Sequence, residues 1–239
     1  MRNGALFVIF AILQSMIALK AEEIVFASGP TKTHLLELFT SEGCSSCPPA
    51  EAWLSKLKEN KQLWRDFVPV AFHVDYWDRL GWRDRFASKE WTMRQQVFAD
   101  RWKAGSVYTP GFVLDGSESS PAVPRSSQEN VGTLRLTSDG NEARLSFAPA
   151  RTDSGYQAHL AGLGFDLASN VKAGENSGRK LSHDFVVLWV QKAATLAESS
   201  EVKFKIDNSK PDKIGALAAW ITRANNPTPI QATGGWLTR

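Results

Sequence analysis

The chain has 239 residues, with 43% hydrophobic and 22% charged side chains, a balance that excludes global disorder and allows one large or two smaller folded units. Its 28 basic residues against 25 acidic give a formal charge of +3. Two of the basic residues, Arg2 and Lys20, belong to a segment read below as a leader, and the remaining charge gives no electrostatic case for a nucleic acid or an anionic membrane as partner.

The first elements are a short basic start at Arg2 and an apolar run over residues 5–19, with small residues at Ala18 and Ala21. This pattern predicts a signal peptide over residues 1–21, hence export, cleavage after Ala21 and a periplasmic or secreted protein. The apolar run is shorter than the roughly 20 residues of a membrane span, so no stable membrane anchor is expected after cleavage. Export also decides how Cys44 and Cys47, the two cysteines of the chain, are read: in an oxidising compartment they can form a disulfide.

Residues 34–39 (HLLELF) are a short apolar run suited to a buried parallel strand, broken by Gly43. Pro48 and Pro49 then fit the first turn of a helix, and Ala50, Trp53, Leu54 and Leu57 recur at helical spacing to about Glu59. Residues 68–74 read as a second strand, residues 84–102 as an amphipathic helix carrying Trp91, Val97, Phe98 and Trp102, and residues 112–114 as a third strand ending in the turn pair Asp115–Gly116. Alternation of this kind favours a parallel α/β layer over residues 30–120. Residues 117–130 are polar and contain prolines, as linkers do. Beyond them, alternating runs at 133–137 and 143–147 flank the hairpin signal Ser138-Asp-Gly-Asn141, and further strands are expected at 157–163, 184–190, 202–206, 216–223 and 230–232. They predict an all-β, sandwich-like domain over residues 130–236.

The chemistry concentrates at Cys44-Ser45-Ser46-Cys47. A cysteine at the start of a helix meets unsatisfied N–H groups and the positive end of the helix dipole, so its thiolate is stabilised. Cys44 is therefore the expected nucleophile, and Cys47, one turn on and more buried, the resolving thiol. A purely structural bridge closing so short a loop contributes only about 2 kcal/mol before strain. Two thiolates make half a zinc site, and no second pair completes it, so no cofactor and no metal set is expected on this reading. The alternatives are a non-enzymatic binding module with a structural disulfide, and a periplasmic Cu(I) carrier in which His73 or His183 joins the thiolates. Thr109–Pro110 precedes the third strand, where a cis-proline would bring a backbone edge to the sulfurs and Thr109 would offer its N–H and C=O to an extended substrate. Glu37, a carboxylate inside an apolar strand, is a candidate for proton exchange with Cys47. His73, Tyr76 and Trp77, where the second strand ends, are candidates for lining a substrate groove, with Asp75 and Asp78 capping the turn.

Residues 38–50 (LFTSEGCSSCPPA), 73–78 (HVDYWD), Gly81–Trp82 and 108–111 (YTPG), with a looser match at 174–179 (GENSGR), His183 and Val186–Val187, resemble a secreted bacterial family catalogued as domain of unknown function 1223. The resemblance implies a thioredoxin-like fold for the first half and disulfide oxidoreductase activity, with Cys44, Cys47 and Pro110 carried over by position. The expected fold class is thus an α/β thioredoxin-like domain followed by an all-β, sandwich-like domain. The expected partners are thiol- or disulfide-containing exported proteins. The 174–178 segment reads as a tight turn that touches the first domain through Arg179 or His183.

Overall fold

The structure is a computed structural model that describes residues 23–151, 155–196, 201–209 and 212–237; the expected leader over residues 1–21 lies outside the described residues. Strands β2 (His34–Thr40) and β3 (Phe67–His73) pair in parallel over their whole length. Both are apolar almost throughout and buried on both faces, which is why they read as continuous runs. Strand β4 (Gly111–Leu114) runs antiparallel to β2, where a parallel partner was expected, and β5 (Ser117–Ser119) folds back on β4 through Asp115–Gly116.

Two helices cover opposite faces of this region. Helix α1 (Cys47–Ser55) continues as a 3-10 turn over Lys56–Glu59; it lies on the face where Thr40 bonds Glu51, 2.5 Å between oxygens, and Trp53 packs edge-on against Phe112. Helix α2 (Lys89–Trp102) starts at Ser88, whose hydroxyl accepts the Glu90 N–H, and lies on the face of Phe39 and Phe72, which contact Phe98 and Trp91. Because successive side chains of a strand alternate, Glu37 and Phe39 go to α2 while Thr40 goes to α1.

The second half does not make a domain of its own. Strands β8 (Tyr156–Gly164), β11 (Val186–Leu196), β13 (Ala216–Arg223) and β14 (Asn226–Trp236) continue the same sheet, in the order β14-β13-β8-β11-β3-β2-β4-β5. The junction is parallel, with Val186 of β11 beside Ala71 of β3. A separate four-stranded antiparallel sheet combines β1 (Ile24–Ala27), β6 (Gly132–Ser138), β7 (Glu142–Pro149) and β12 (Glu201–Lys205). Leu134, Leu136, Leu145 and Phe147 from it share a core with Leu160, Leu217, Ala219 and Ile221 of the large sheet. Strands β9 (Leu167–Asn170) and β10 (Lys180–His183) form a two-stranded ribbon.

This overturns the expected fold class. With 45% strand and 15% helix, and one mixed sheet running through both halves, the chain is not an α/β thioredoxin-like fold followed by an all-β domain. The reason is visible in β8 and β13, whose residues are buried almost without interruption. Strands covered on both faces belong in the middle of a large sheet, and periodicity finds a strand without naming its partner. Residues 117–130 likewise act as a strap: β5 lies within them, the Arg125 carbonyl accepts from His34 Nε2 at 3.0 Å, and Lys32 N–H bonds the Glu129 carbonyl at 2.9 Å.

Candidate functional site

The Cys44–Cys47 pair is disulfide-bonded, with Cα atoms 5.4 Å apart, and α1 begins at Cys47. Pro48 and Pro49 occupy positions where a missing N–H costs the helix nothing, and Ser46 at the N-cap makes no side-chain cap, so the helix's orphan N–H groups are not closed by a cap there. Gly43 is needed just before: a Cβ there would lie 2.8 Å from Trp77 Cβ. The Thr109–Pro110 bond is cis, and Thr109 stands beside the pair: its carbonyl is 3.5 Å from Ser46 Oγ, and its hydroxyl accepts the Trp77 indole N–H at 2.8 Å. Ser46 Oγ is also 3.4 Å from Cys44 Sγ. Both cysteines are 0% exposed, whereas Ser45 and Ser46 between them face solvent.

The second half of the chain closes on this loop. Glu175 Oε2 accepts the Ser45 N–H at 3.0 Å, and the fully buried Asn176 donates from one amide nitrogen to the carbonyls of Glu42 and Cys44, both at 2.9 Å. Arg179 in turn donates to Asn176 Oδ1 at 2.6 Å. The turn that carries these groups bends at Gly174 and Gly178, both with positive φ.

One helical turn beyond Cys47 lies a buried charged cluster that sequence reasoning did not assemble. Glu42, Glu51, His73, Asp84 and His183 are each at most 6% exposed. His73 Nδ1 is 2.7 Å from Asp84 Oδ2, and the other Asp84 oxygen accepts the Phe86 N–H. His183 Nδ1 bonds Glu51, Trp82 donates to Glu42 Oε2 at 2.6 Å, and the two histidine rings stand edge-to-face 5.1 Å apart. Burial alone would lower the His183 pKa, but its contacts with Glu42 and Glu51 outweigh it and push it up to about 10. Asp84 is held below the usual carboxylate range, its burial being outweighed by His73 and two backbone N–H groups. Glu42, His73 and His183 are among the residues that the sequence marks, Glu51 follows the 38–50 stretch and Asp84 opens the segment read as a helix over 84–102, but only the parallel register, with Thr40 beside His73, brings them together.

The other candidates are placed as follows. Glu37 is fully buried on the α2 face, where Arg94 donates to both its oxygens at 2.6 and 2.9 Å; burial raises its pKa and Arg94 opposes the rise. It is thus engaged on the opposite side of the sheet from α1 and Cys47. His73 lines no groove, being 1% exposed and bonded to Asp84. Tyr76 and Trp77 are half-buried beside Thr109; Tyr76 OH bonds Gln95 at 3.4 Å, and burial pushes its pKa up to about 12. Asp75 accepts from Thr92 at 2.6 Å, and Asp78 accepts the Asp84 N–H at 3.1 Å. Among the described residues no helix is long and apolar enough to cross a membrane.

A crystal structure of a protein from Agrobacterium tumefaciens is similar to this chain, with 28% identity and a TM-score of 0.67 over 85% of this chain and 94% of that one. HBP35 of Porphyromonas gingivalis shares the fold at 17% identity and a TM-score of 0.51, over 87% of this chain and 76% of that one. No curated protein matches. The model of a family described as a protein of unknown function, DUF1223, matches residues 35–222, which include the cysteine loop, the cis-proline and the buried cluster, and the chain belongs to that family.

Proposed function

We propose that the protein is an exported thiol–disulfide oxidoreductase acting on disulfides or thiols of other exported proteins. The observation that carries this reading is a cysteine pair at a helix N-terminus with the Thr109–Pro110 edge alongside. In the reduced protein Cys44 attacks a substrate disulfide as a thiolate, one substrate sulfur leaves as a thiolate, and a mixed disulfide forms. Cys47 then attacks Cys44, releasing the second substrate thiol and regenerating the bridge. The reverse sequence oxidises a substrate dithiol. Since both cysteines are covered in the oxidised form, exchange begins with displacement of the groups fastened over them. The exposed Ser45–Glu175 bond is the weakest of these attachments.

The 0% exposure of both cysteines favours a second reading, a structural bridge that fixes the loop above the charged cluster. A Cys47→Ser variant separates the two. Oxidoreductase action predicts covalent partners trapped on Cys44 and released by reductant. A variant that folds, is exported and carries no mixed disulfide leaves only the structural bridge.

A further inference from the structure

The buried cluster beside α1 holds more negative charge than its neighbours balance. Glu42, Glu51 and Asp84 are three carboxylates at 0%, 6% and 2% exposure, and their ionisable companions are two imidazoles. Among the described residues no lysine or arginine forms an ion pair with any of the three. The cluster also contains polar atoms without hydrogen bonds. His73 Nε2 has no partner, although its other nitrogen is fixed by Asp84. His183 Nε2 and Glu42 Oε1 form an ion pair at 3.2 Å, but too far out of line for a hydrogen bond. Buried polar atoms are nearly always satisfied, so the orphaned His73 Nε2, beside an ion pair that makes no hydrogen bond, calls for a group that would satisfy it.

We propose that Glu51, His73 and His183 form a binding site for a divalent transition-metal ion. One donor atom from each lies within 4.8 Å of the others. Two imidazole nitrogens and one carboxylate are a donor set for zinc and its first-row neighbours. Asp84 supplies the outer-shell feature such sites share, a carboxylate that holds Nδ1 of His73 and leaves Nε2 for the ion. Thr40 does the same for Glu51, donating to one oxygen and leaving the other toward His183. Glu42 Oε1 stands next to His183 as a further oxygen donor. The ion replaces the proton that the His183 ring shares with Glu51, and its charge balances the carboxylates.

The site uses neither cysteine and is independent of the redox reading. The test uses the full chain, oxidised and purified without chelators, titrated with zinc alone against a chromophoric chelator. The expected result is one zinc per chain, retained equally by the Cys44→Ser/Cys47→Ser variant. Asp84→Asn should weaken it 10- to 100-fold. His73→Gln should abolish binding while folding as judged by circular dichroism. X-ray absorption of the wild type supplies an arm that needs no variant, with nitrogen and oxygen neighbours expected. Zinc below one-tenth per folded chain, sulfur in the metal's shell, or unaltered affinity in a folded His73→Gln protein each overturns the proposal.

Discussion

Two buried histidines on opposite faces of one sheet show how far environment governs a single residue type. His159 stacks on Trp220, bonds the Thr222 hydroxyl at 3.0 Å, and has Arg94 close by. Burial, reinforced by the positive charges of Arg94 and Lys192, depresses its pKa to about 3, and the ring is neutral. His183 is equally covered but sits between two glutamates, and its pKa is near 10. The acids follow the same division. Glu37 on the α2 face has a permanent cation in Arg94, whereas Glu42, Glu51 and Asp84 on the α1 face have only histidines. Arginine gives a fixed lock; histidine gives a partner whose proton can be exchanged, or replaced by a metal. The cysteine pair is built over the second kind of environment.

The largest expected effect comes from breaking the lock. Arg94→Met leaves Glu37 buried and unpaired and should destabilise the protein by about 3–5 kcal/mol in urea denaturation, whereas Glu37→Leu/Arg94→Met, which removes both charges, should recover most of that loss. Next comes Asn176→Ala, which strands the buried carbonyls of Glu42 and Cys44 at a cost of about 2–3 kcal/mol and should speed reduction of the disulfide by dithiothreitol. If reduction is no faster, the 174–179 turn is not the cover over the pair.

The pH response of His159 is of similar or smaller size. Its folded pKa is depressed from 6.5 to about 3, so its contribution is complete above pH 6.5 and is lost as pH falls toward 3. By pH 5 the loss should reach about 2 kcal/mol, and His159→Gln should flatten the stability profile across that window. An unchanged profile would mean that this ring is protonated in the fold. The smallest effect is expected for Glu175→Ala. Its bond to Ser45 is solvent-exposed, so stability should change by at most about 0.5 kcal/mol while reduction of the disulfide still accelerates.

How much of this was legible in the sequence differs by level. The local elements were: the strands at β2, β3, β6, β7 and β13 and the helix opening at Pro48–Pro49 follow from apolar runs, alternation and proline position. Strand partners were not. The parallel pairing of β3 with β11 joins residues more than a hundred positions apart, and no local pattern encodes it. Strands β9 and β10 are too short and polar to stand out. At the site, the cysteines and Pro110 announce themselves by residue type and spacing. Glu37 looked like the cysteines' acid because it is a carboxylate inside the apolar strand just before them, but it stands an odd number of steps from Thr40 along that strand and so faces the other side. His73 looked like a groove residue because it ends a strand, where in fact Asp84 folds back to cover it.

The central claim is that the helix N-terminus holds Cys44 as a reactive anion. Its most direct test is the pKa of Cys44 in the reduced Cys47→Ser protein, followed by ultraviolet thiolate absorbance. The account predicts a midpoint roughly two units below the ordinary thiol value of about 8.5. A midpoint at or above that value would contradict it and leave the bridge a structural one.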